Sequence, residues 1–151
     1  SAQAIYGAEP WVFSVLNSRM HNVWIQAVGG RLESRIRYSS SLCYNAFPFP
    51  SIGRVKTEEL TNMALRIISL REDHSELTLV ELYGNETMPK ELKKLHSMND
   101  ETVERCYRVT PFRNDEERLE YLFNLYDKKF TDLHDENTLF AKHSKRRKKT
   151  K

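Results

Sequence analysis

The chain has 151 residues, of which 39% are hydrophobic and 30% charged, and this balance fits one soluble domain or a small domain with an appendage. No apolar run approaches the roughly 20 residues that a membrane span needs, and we see neither the basic segment nor the apolar core of a signal peptide. We therefore expect a cytoplasmic protein without membrane contact. Its two cysteines, Cys43 and Cys106, should stay reduced because their separation fits no metal or redox motif.

The positive charge is concentrated at the C-terminal end of the chain. The last eleven residues hold seven Lys or Arg and no acid, so the net charge of +3 becomes −4 once those seven are set aside. Such a segment is typical of a solvated, disordered tail, and attraction to nucleic acid is its functional alternative. We predict a disordered basic tail over residues 134–151.

The first predicted element is a helix that begins at Pro10, since proline is tolerated in the first helical turn. Apolar residues then recur every three or four positions, and Gly29-Gly30 ends the helix. A strand from Arg31 follows, and its alternation places four charged residues on one face: Arg31, Glu33, Arg35 and Arg37. Such a row is suited to base edges in a DNA groove, whereas a Glu–Arg surface pair is the plainer alternative.

The second half of the chain predicts helices only. After a linker over residues 51–56, caps and apolar stripes indicate helices that begin at Thr57, Thr78, Pro89 and Asn114. Within the third of these, Asn99-Asp100 should either break the helix or face water. We predict an α+β fold that is mostly α: a helix and a short antiparallel β-hairpin or strand pair, followed by a four-helix C-terminal segment.

The usual constellations of catalysis are missing from the sequence. It has no Gly-rich phosphate loop, nucleophile elbow, metalloprotease motif or zinc spacing. The polar run Asp132, His134, Asp135 and Glu136 could hold a cation, but a solvated helix end is the simpler interpretation. We therefore predict no catalytic residue, no metal site and no cofactor for this chain.

Several motifs of the sequence nevertheless form a recognisable set. In the first half these are Leu16-x-Ser18-Arg19-Met20, Val28-Gly29-Gly30-Arg31-Leu32-Glu33-Ser34-Arg35, Arg37-Tyr38-Ser39 and Tyr44-Asn45-x-Phe47-Pro48-x-Pro50. In the second half they are Leu82-Tyr83, Met88-Pro89, Leu92, His96, Asp115-Glu116-Glu117-Arg118-Leu119 and Leu122-Phe123-x-Leu125-Tyr126. Together they resemble the MmeI-like restriction–modification enzymes. The chain departs from that family's pattern at Ala46, Phe49 and Gly84-Asn85, which look like changes in packing.

The resemblance implies two domains in this chain and the catalytic domains upstream of it. Residues 1–50 would be the end of a DNA target recognition domain and residues 51–133 a C-terminal helical domain. An adenine-N6 methyltransferase domain, and in some members a nuclease, would lie upstream in the same polypeptide. S-adenosylmethionine and Mg²⁺ would then be cofactors of the parent enzyme, and double-stranded DNA would be the partner of this chain.

The resemblance also assigns roles to residues on the predicted strand. Members of the family read one base pair with two residues two positions apart, here Glu33 and Arg35. Glutamate accepts from the N4 amino group of cytosine, and arginine donates to O6 and N7 of guanine, so the pair suits one G·C base pair. The candidates for contact with the DNA backbone are Arg19, Arg31, Arg37, Ser39 and Ser40.

Two other functions stay open on sequence grounds. The helical half could be a scaffold or partner-docking module whose strand face is ordinary surface. Alternatively, the chain could be an independent nucleic-acid binder that uses its basic tail. The dependence of DNA binding on salt separates the first of these from base reading, because contacts with phosphate weaken steeply as salt rises.

Overall fold

The structure is a computed structural model that describes residues 7–32, 35–37, 40–84, 86–129 and 131, without the side chains of residues 30–40. The predicted basic tail and the polar run over residues 132–136 lie outside this part of the chain. Its architecture is a set of packed helices joined by short irregular segments.

The single helix predicted from Pro10 to Gly29 is wrong, because the chain forms two helices there. They are α1, Pro10–Leu16, and α2, Arg19–Val28. Ser18 separates them, since its hydroxyl donates to the carbonyl of Val15 at 2.6 Å and accepts from the backbone N–H of His21 at 3.4 Å. A serine side chain competes with the helical backbone for such bonds, and the apolar periodicity does not reveal the break.

The stretch after α2 doubles back on itself. Strands β1, Gly30–Leu32, and β2, Arg35–Arg37, pair antiparallel with Leu32 opposite Arg35. The predicted continuous strand from Arg31 is therefore wrong, and residues 33 and 34, which join the two strands, lie outside the described residues. A π-helical segment, Ser40–Asn45, follows β2.

Three helices of the second half are α3, Arg54–Glu72, α4, Leu79–Leu82, and α5, Lys90–Tyr107. The first begins three residues before the predicted start at Thr57, whose hydroxyl donates to the carbonyl of Gly53 at 3.2 Å inside the first turn. The predicted cap of α4 is confirmed, because Thr78 forms a reciprocal capping box with Glu81.

The last described helix, α6, covers residues 115–129. Its predicted cap is confirmed, since the Asn114 side-chain oxygen accepts from the backbone N–H of Glu117 at 2.9 Å. The prediction for Asn99-Asp100 is wrong in both of its forms. Helix α5 continues through them, Asn99 is fully buried, and Asp100 accepts a hydrogen bond from Arg19.

Two apolar clusters form the core. The larger one joins α1 and α2 to α3, α5 and α6, and the smaller one lies among α3, α4 and α5. The larger cluster contains Val15, Met20, Val23, Trp24, Phe47, Leu60, Val103, Phe112 and Leu122. The smaller cluster contains Met63, Ile67, Leu82, Leu92 and Leu95. Because the larger cluster takes residues from both halves of the sequence, the helices before and after the β1–β2 ladder share one core.

The predicted α+β class is wrong: the described chain is a helical fold. The β1–β2 ladder joins only three residue pairs, and the described members of both apolar clusters belong to helices and irregular segments. Two strands of three residues have too little surface to form a layer that covers a helix. The β1–β2 ladder therefore does not make the fold an α+β one.

Candidate functional site

One of the two residues predicted to read bases belongs to the β1–β2 ladder. Arg35 is the first residue of β2 and pairs with Leu32, whereas Glu33 lies outside the described residues. Only the backbone of Arg35 is described, so its role in base reading stays a prediction.

The predicted backbone contacts divide between the ladder and its flanks. Arg31 lies in β1, Arg37 in β2, and Ser40 begins the π-helical segment. Ser39 lies outside the described residues. The structure thus brings the backbones of three arginines, Arg31, Arg35 and Arg37, onto one ladder of three residue pairs.

A buried tryptophan joins the two sides of this ladder. Trp24 lies in the middle of α2, which precedes β1, and its indole Nε1 donates to the carbonyl of Leu42, which follows β2, at 3.1 Å. The side chain is 2% exposed. Since an indole N–H usually finds an acceptor when buried, this bond holds the π-helical segment against α2.

The segment after the ladder packs as an aromatic cluster. The ring of Phe47 contacts those of His21, Trp24 and Phe49 in edge-to-face geometry, with centroids 4.7, 6.1 and 5.0 Å apart. Such arrangements add to the effect of burial. Burial also lowers the pKa of His21 to about 4, so the imidazole is neutral at physiological pH and belongs to the support of the ladder.

Two tyrosines attach this aromatic cluster to the C-terminal helices. The hydroxyl of Tyr107, the last residue of α5, donates to the carbonyl of Pro48 at 3.1 Å. Tyr121 of α6 in turn donates to the carbonyl of Tyr107 at 2.9 Å. Burial raises the pKa of Tyr107 well above its ordinary value, which keeps the hydroxyl a donor at every physiological pH.

Arg19, a predicted backbone contact, has partners within the chain. Its guanidinium forms an ion pair with Asp115, in which Nε lies 2.9 Å from Oδ1 and a second nitrogen contacts Oδ2. Its backbone N–H donates to Oδ1 of Asp100 at 2.7 Å. The guanidinium–carboxylate pair raises the pKa of Arg19 and lowers that of Asp115.

Further charges surround this pair. Arg118 of α6 donates to Asp115 at 3.2 Å and to Glu104 of α5 at 2.7 Å. Burial is the main cause of the raised pKa of Asp100. Sequence analysis missed this network, because Arg19 and Asp115 are 96 residues apart in the chain and neither shows a local pattern that names the other.

Nothing in the described residues suggests a metal centre or a membrane-spanning helix. The part of the chain that the structure covers contains no group of three or more His, Cys, Asp or Glu that could hold a metal ion. Among the same residues, every helix is too short or too polar to cross a bilayer.

Comparisons with known proteins agree with the motifs. The family model "MmeI, target recognition domain" matches residues 1–51, and "MmeI, C-terminal domain" matches residues 53–134. DNA methyltransferase A of Bacillus subtilis (strain 168) is 48% identical over 122 residues, which are 81% of this chain and 14% of that protein.

A solved structure is also similar. The type IIL restriction-modification enzyme MmeI in complex with DNA matches with a TM-score of 0.78 and 38% identity, over 83% of this chain and 17% of that one. The chain therefore spans less than a fifth of the length of either relative. The C-terminal-domain model alone matches more than half of the chain. The predicted resemblance is thus confirmed: the chain belongs to the MmeI family and joins that family's target recognition domain to its C-terminal domain.

Proposed function

We propose that this chain reads double-stranded DNA for a restriction–modification DNA methyltransferase, and that Glu33 and Arg35 contact one G·C base pair. The observation that supports this most directly is the β1–β2 ladder in the region that matches the family's target recognition domain. One relative was solved in complex with DNA and another is named a DNA methyltransferase, and we extend both properties to the parent of this chain.

Glu33 and Arg35 are close enough in the chain to contact the same base pair. Two residues that are two positions apart have Cα atoms at most about 7 Å apart in any conformation, which is close enough for both side chains to contact one base pair. A carboxylate accepts from cytosine N4 and a guanidinium donates to guanine O6 and N7. We assign Glu33 to cytosine and Arg35 to guanine.

Phosphate contacts would fix the ladder on the duplex. Arg31, Arg37, Ser39 and Ser40 flank the proposed base-reading pair in sequence and carry donors for phosphate oxygens. Arg19 does not join them, because its guanidinium is engaged by Asp115.

The proposal places catalysis outside this chain. We propose that residues 1–50 complete the recognition domain, that residues 51–133 form the C-terminal helical domain, and that residues 134–151 are a basic tail. The methyltransferase domain of the same polypeptide would bind S-adenosylmethionine, and any nuclease would use Mg²⁺. Such an enzyme acts in the cytoplasm, where the DNA is.

An exchange of the two charges tests the base assignment. In the full-length enzyme, Glu33→Lys with Arg35→Asp should reverse the preferred orientation of one G·C pair, since lysine would meet guanine and aspartate would meet cytosine. Sequencing of methylated sites reports the orientation. The matched control reverses another Glu–Arg pair, Arg54→Glu with Glu58→Arg. This pair is exposed on α3, and Nε of Arg54 lies 2.8 Å from Oε1 of Glu58. The same site preference in both double variants would sink the assignment.

A salt titration separates DNA reading from a docking role. Binding of duplex DNA by the full-length enzyme should weaken steeply as the salt concentration rises. In the double variant Arg31→Gln with Arg37→Gln, the slope of log K against log salt should become shallower by about two, because two phosphate contacts are lost. A docking module would leave that slope unchanged. Deletion of residues 141–151 should leave the preferred site intact, whereas it would abolish binding by a chain that relied on its basic tail.

A further inference from the structure

Arg19 is held at both its backbone and its side chain by the C-terminal helices. Its backbone N–H donates to Asp100 on α5 at 2.7 Å, and its guanidinium contacts both carboxylate oxygens of Asp115, the first residue of α6. A two-nitrogen contact with a carboxylate fixes orientation as well as distance. The first residue of α2 is thereby attached to two helices whose sequence lies more than 80 residues away.

Asp115, one of the two acceptors of Arg19, is itself held by a neighbouring arginine. Arg118 contacts Asp115 at 3.2 Å and Glu104 at 2.7 Å. The side chains of Arg118 and Glu104 are only 16% and 12% exposed, and partly desolvated pairs are more rigid than exposed ones because water competes less for their hydrogen bonds. Asp115 therefore presents its carboxylate to Arg19 from a constrained position.

Helix α2 connects this anchor to the ladder. It contains ten residues, Arg19–Val28, and β1 begins at Gly30. A helix of that length is about 15 Å long, so a tilt of about 4° at Arg19 would move its far end by about 1 Å. Displacements of that size matter for base contacts, whose hydrogen bonds need donor and acceptor within a few tenths of an ångström.

The charges around Arg19 disfavour contact with DNA. Its immediate surroundings contain three carboxylates, Asp100, Glu104 and Asp115, against two guanidinium groups, Arg19 and Arg118. A surface with an excess of carboxylates repels phosphate. To reach a phosphate, Arg19 would also have to give up both of its contacts with Asp115, which would then keep only the contact with Arg118.

From these contacts we infer that Arg19 is a positioning residue: with Asp100 and Asp115 it sets the angle between α2 and the C-terminal helices, and thereby the placement of the β1–β2 ladder on DNA. The inference rests on the proposed function, because it presumes that the ladder reads DNA. It gives the C-terminal domain a defined task in recognition, which is to hold the reading element in register.

A double-mutant cycle in the full-length enzyme tests this role. The variants are Arg19→Gln, Asp115→Asn and the two combined. Each single change should lower the preference for the recognition site over a one-base variant by about twofold to fivefold, because the side chains of Arg19 and Asp115 are 49% and 42% exposed and exposed ion pairs are weak. The combined change should cost no more than the worse single one, because both remove the same contact. The slope of log K against log salt should stay that of the wild type.

A phosphate contact at Arg19 makes the opposite predictions. Arg19→Gln would then lower the salt slope by about 1 and weaken binding equally for all DNA sequences. Asp115→Asn would leave binding unchanged or strengthen it, since it removes a negative charge. Either result would overturn the positioning role.

Two further variants distinguish the positioning role from a general loss of folding. Arg19→Lys keeps the charge but cannot form the two-nitrogen contact, so positioning predicts a loss of site preference whereas phosphate contact predicts binding close to that of the wild type. Arg54→Gln with Glu58→Gln removes an exposed pair on α3 and should change neither preference nor slope. Thermal unfolding of every variant identifies any that do not fold.

The cycle also separates this inference from the function on which it rests. A wild-type enzyme with no preference for any DNA sequence would refute the proposed function and the positioning role together. A wild-type enzyme that reads its site, combined with additive effects in the cycle, would refute only the role of Arg19.

Discussion

The indole Nε1 of Trp24 donates to the carbonyl of Leu42 at 3.1 Å, and this single bond spans the ladder from the helix before it to the segment after it. The donor is buried and 18 residues from its acceptor. The position of the ladder therefore depends on this hydrogen bond as well as on its own three residue pairs. The contribution of the bond to the free energy of unfolding should be measurable.

Trp24→Phe should destabilise the chain by about 1–3 kcal/mol, because the carbonyl of Leu42 loses a buried donor and the smaller ring leaves a space behind. Chemical denaturation measures the free energy of unfolding. The matched control is Trp11→Phe, since the indole of Trp11 bonds only the exposed carboxylate of Glu9 at 2.6 Å and its loss should cost less than about 1 kcal/mol. Equal effects of the two changes would mean that the Trp24 bond contributes nothing beyond packing.

Asn99 predicts a second stability effect, at the contact between α5 and α1. Its side-chain amide donates to the carbonyl of Ser14 at 2.9 Å, and both residues are fully buried. Asn99→Ala should cost about 1–3 kcal/mol, the penalty for leaving a buried carbonyl without its donor. Asn17→Ala removes the same kind of bond, from a side-chain amide to the carbonyl of Phe13 at 2.9 Å, at an exposed position. We expect the control to cost less than half as much in thermal or urea unfolding.

His21 predicts a loss of stability in mild acid. Burial lowers its pKa from 6.5 to about 4, so the folded chain binds a proton less readily than the unfolded chain. The stabilising effect of the neutral ring is complete above pH 6.5 and is lost as the pH falls from 6.5 towards 4, with a total near 3 kcal/mol. Urea unfolding at several pH values should show that slope, and His21→Gln should reduce it.

His96 should add to the loss of stability below pH 6.5. Its pKa is lowered by burial and by the charge of Arg71, and its Nε2 lies 3.0 Å from the hydroxyl of Tyr83. Part of the slope should therefore remain in His21→Gln and disappear when His96→Gln is added. A pH dependence identical in the wild type and the double variant would contradict both assignments.

Glu117 predicts a loss of stability in stronger acid. A hydrogen bond from the backbone N–H of Arg113 and an ion pair with Arg108 at 2.9 Å lower its pKa to about 2. Because the pKa is lower in the folded chain, the stabilisation is complete above pH 4.5 and vanishes as the pH falls through 2. Glu117→Gln should be less stable than the wild type at pH 7, and the difference should shrink to zero near pH 2.

The neighbouring acid provides the control for that prediction. Glu116 is exposed on the same first turn of α6, and Glu116→Gln should leave the acid-unfolding curve close to that of the wild type. A Glu116→Gln variant that lost as much stability as Glu117→Gln would point to the dipole of α6 rather than to the specific partners of Glu117.

Local signals in the sequence located the helices of the second half well. Thr78 and Asn114 cap α4 and α6 where their hydrogen-bonding groups predicted, because a cap depends on residues three or four positions apart. The buried stripe Leu60, Met63, Ala64 and Ile67 of α3 was likewise visible in its spacing. Such features are set by neighbours in the chain.

The errors arose where a local pattern fitted two structures. The hydroxyl of Ser18 ends α1 and starts α2, yet serine also occurs inside helices, so the apolar spacing suggested one helix. Alternation from Arg31 to Arg37 fits one strand as well as two strands that fold back on each other. The ion pair of Arg19 with Asp115 shows no local pattern in the sequence, since it depends on how α2 and α6 pack.

The β1–β2 ladder is held together by pairing between backbones. The segments that flank it are held by the hydrogen bond of Trp24 and by the aromatic cluster around Phe47. Backbone pairing is largely indifferent to the chemistry of the side chains that it carries. Substitutions at residues 33 and 35 can therefore accumulate over evolution with little effect on folding. Under the proposed function, such an arrangement would let a lineage change its DNA target by small steps while the rest of the fold is retained.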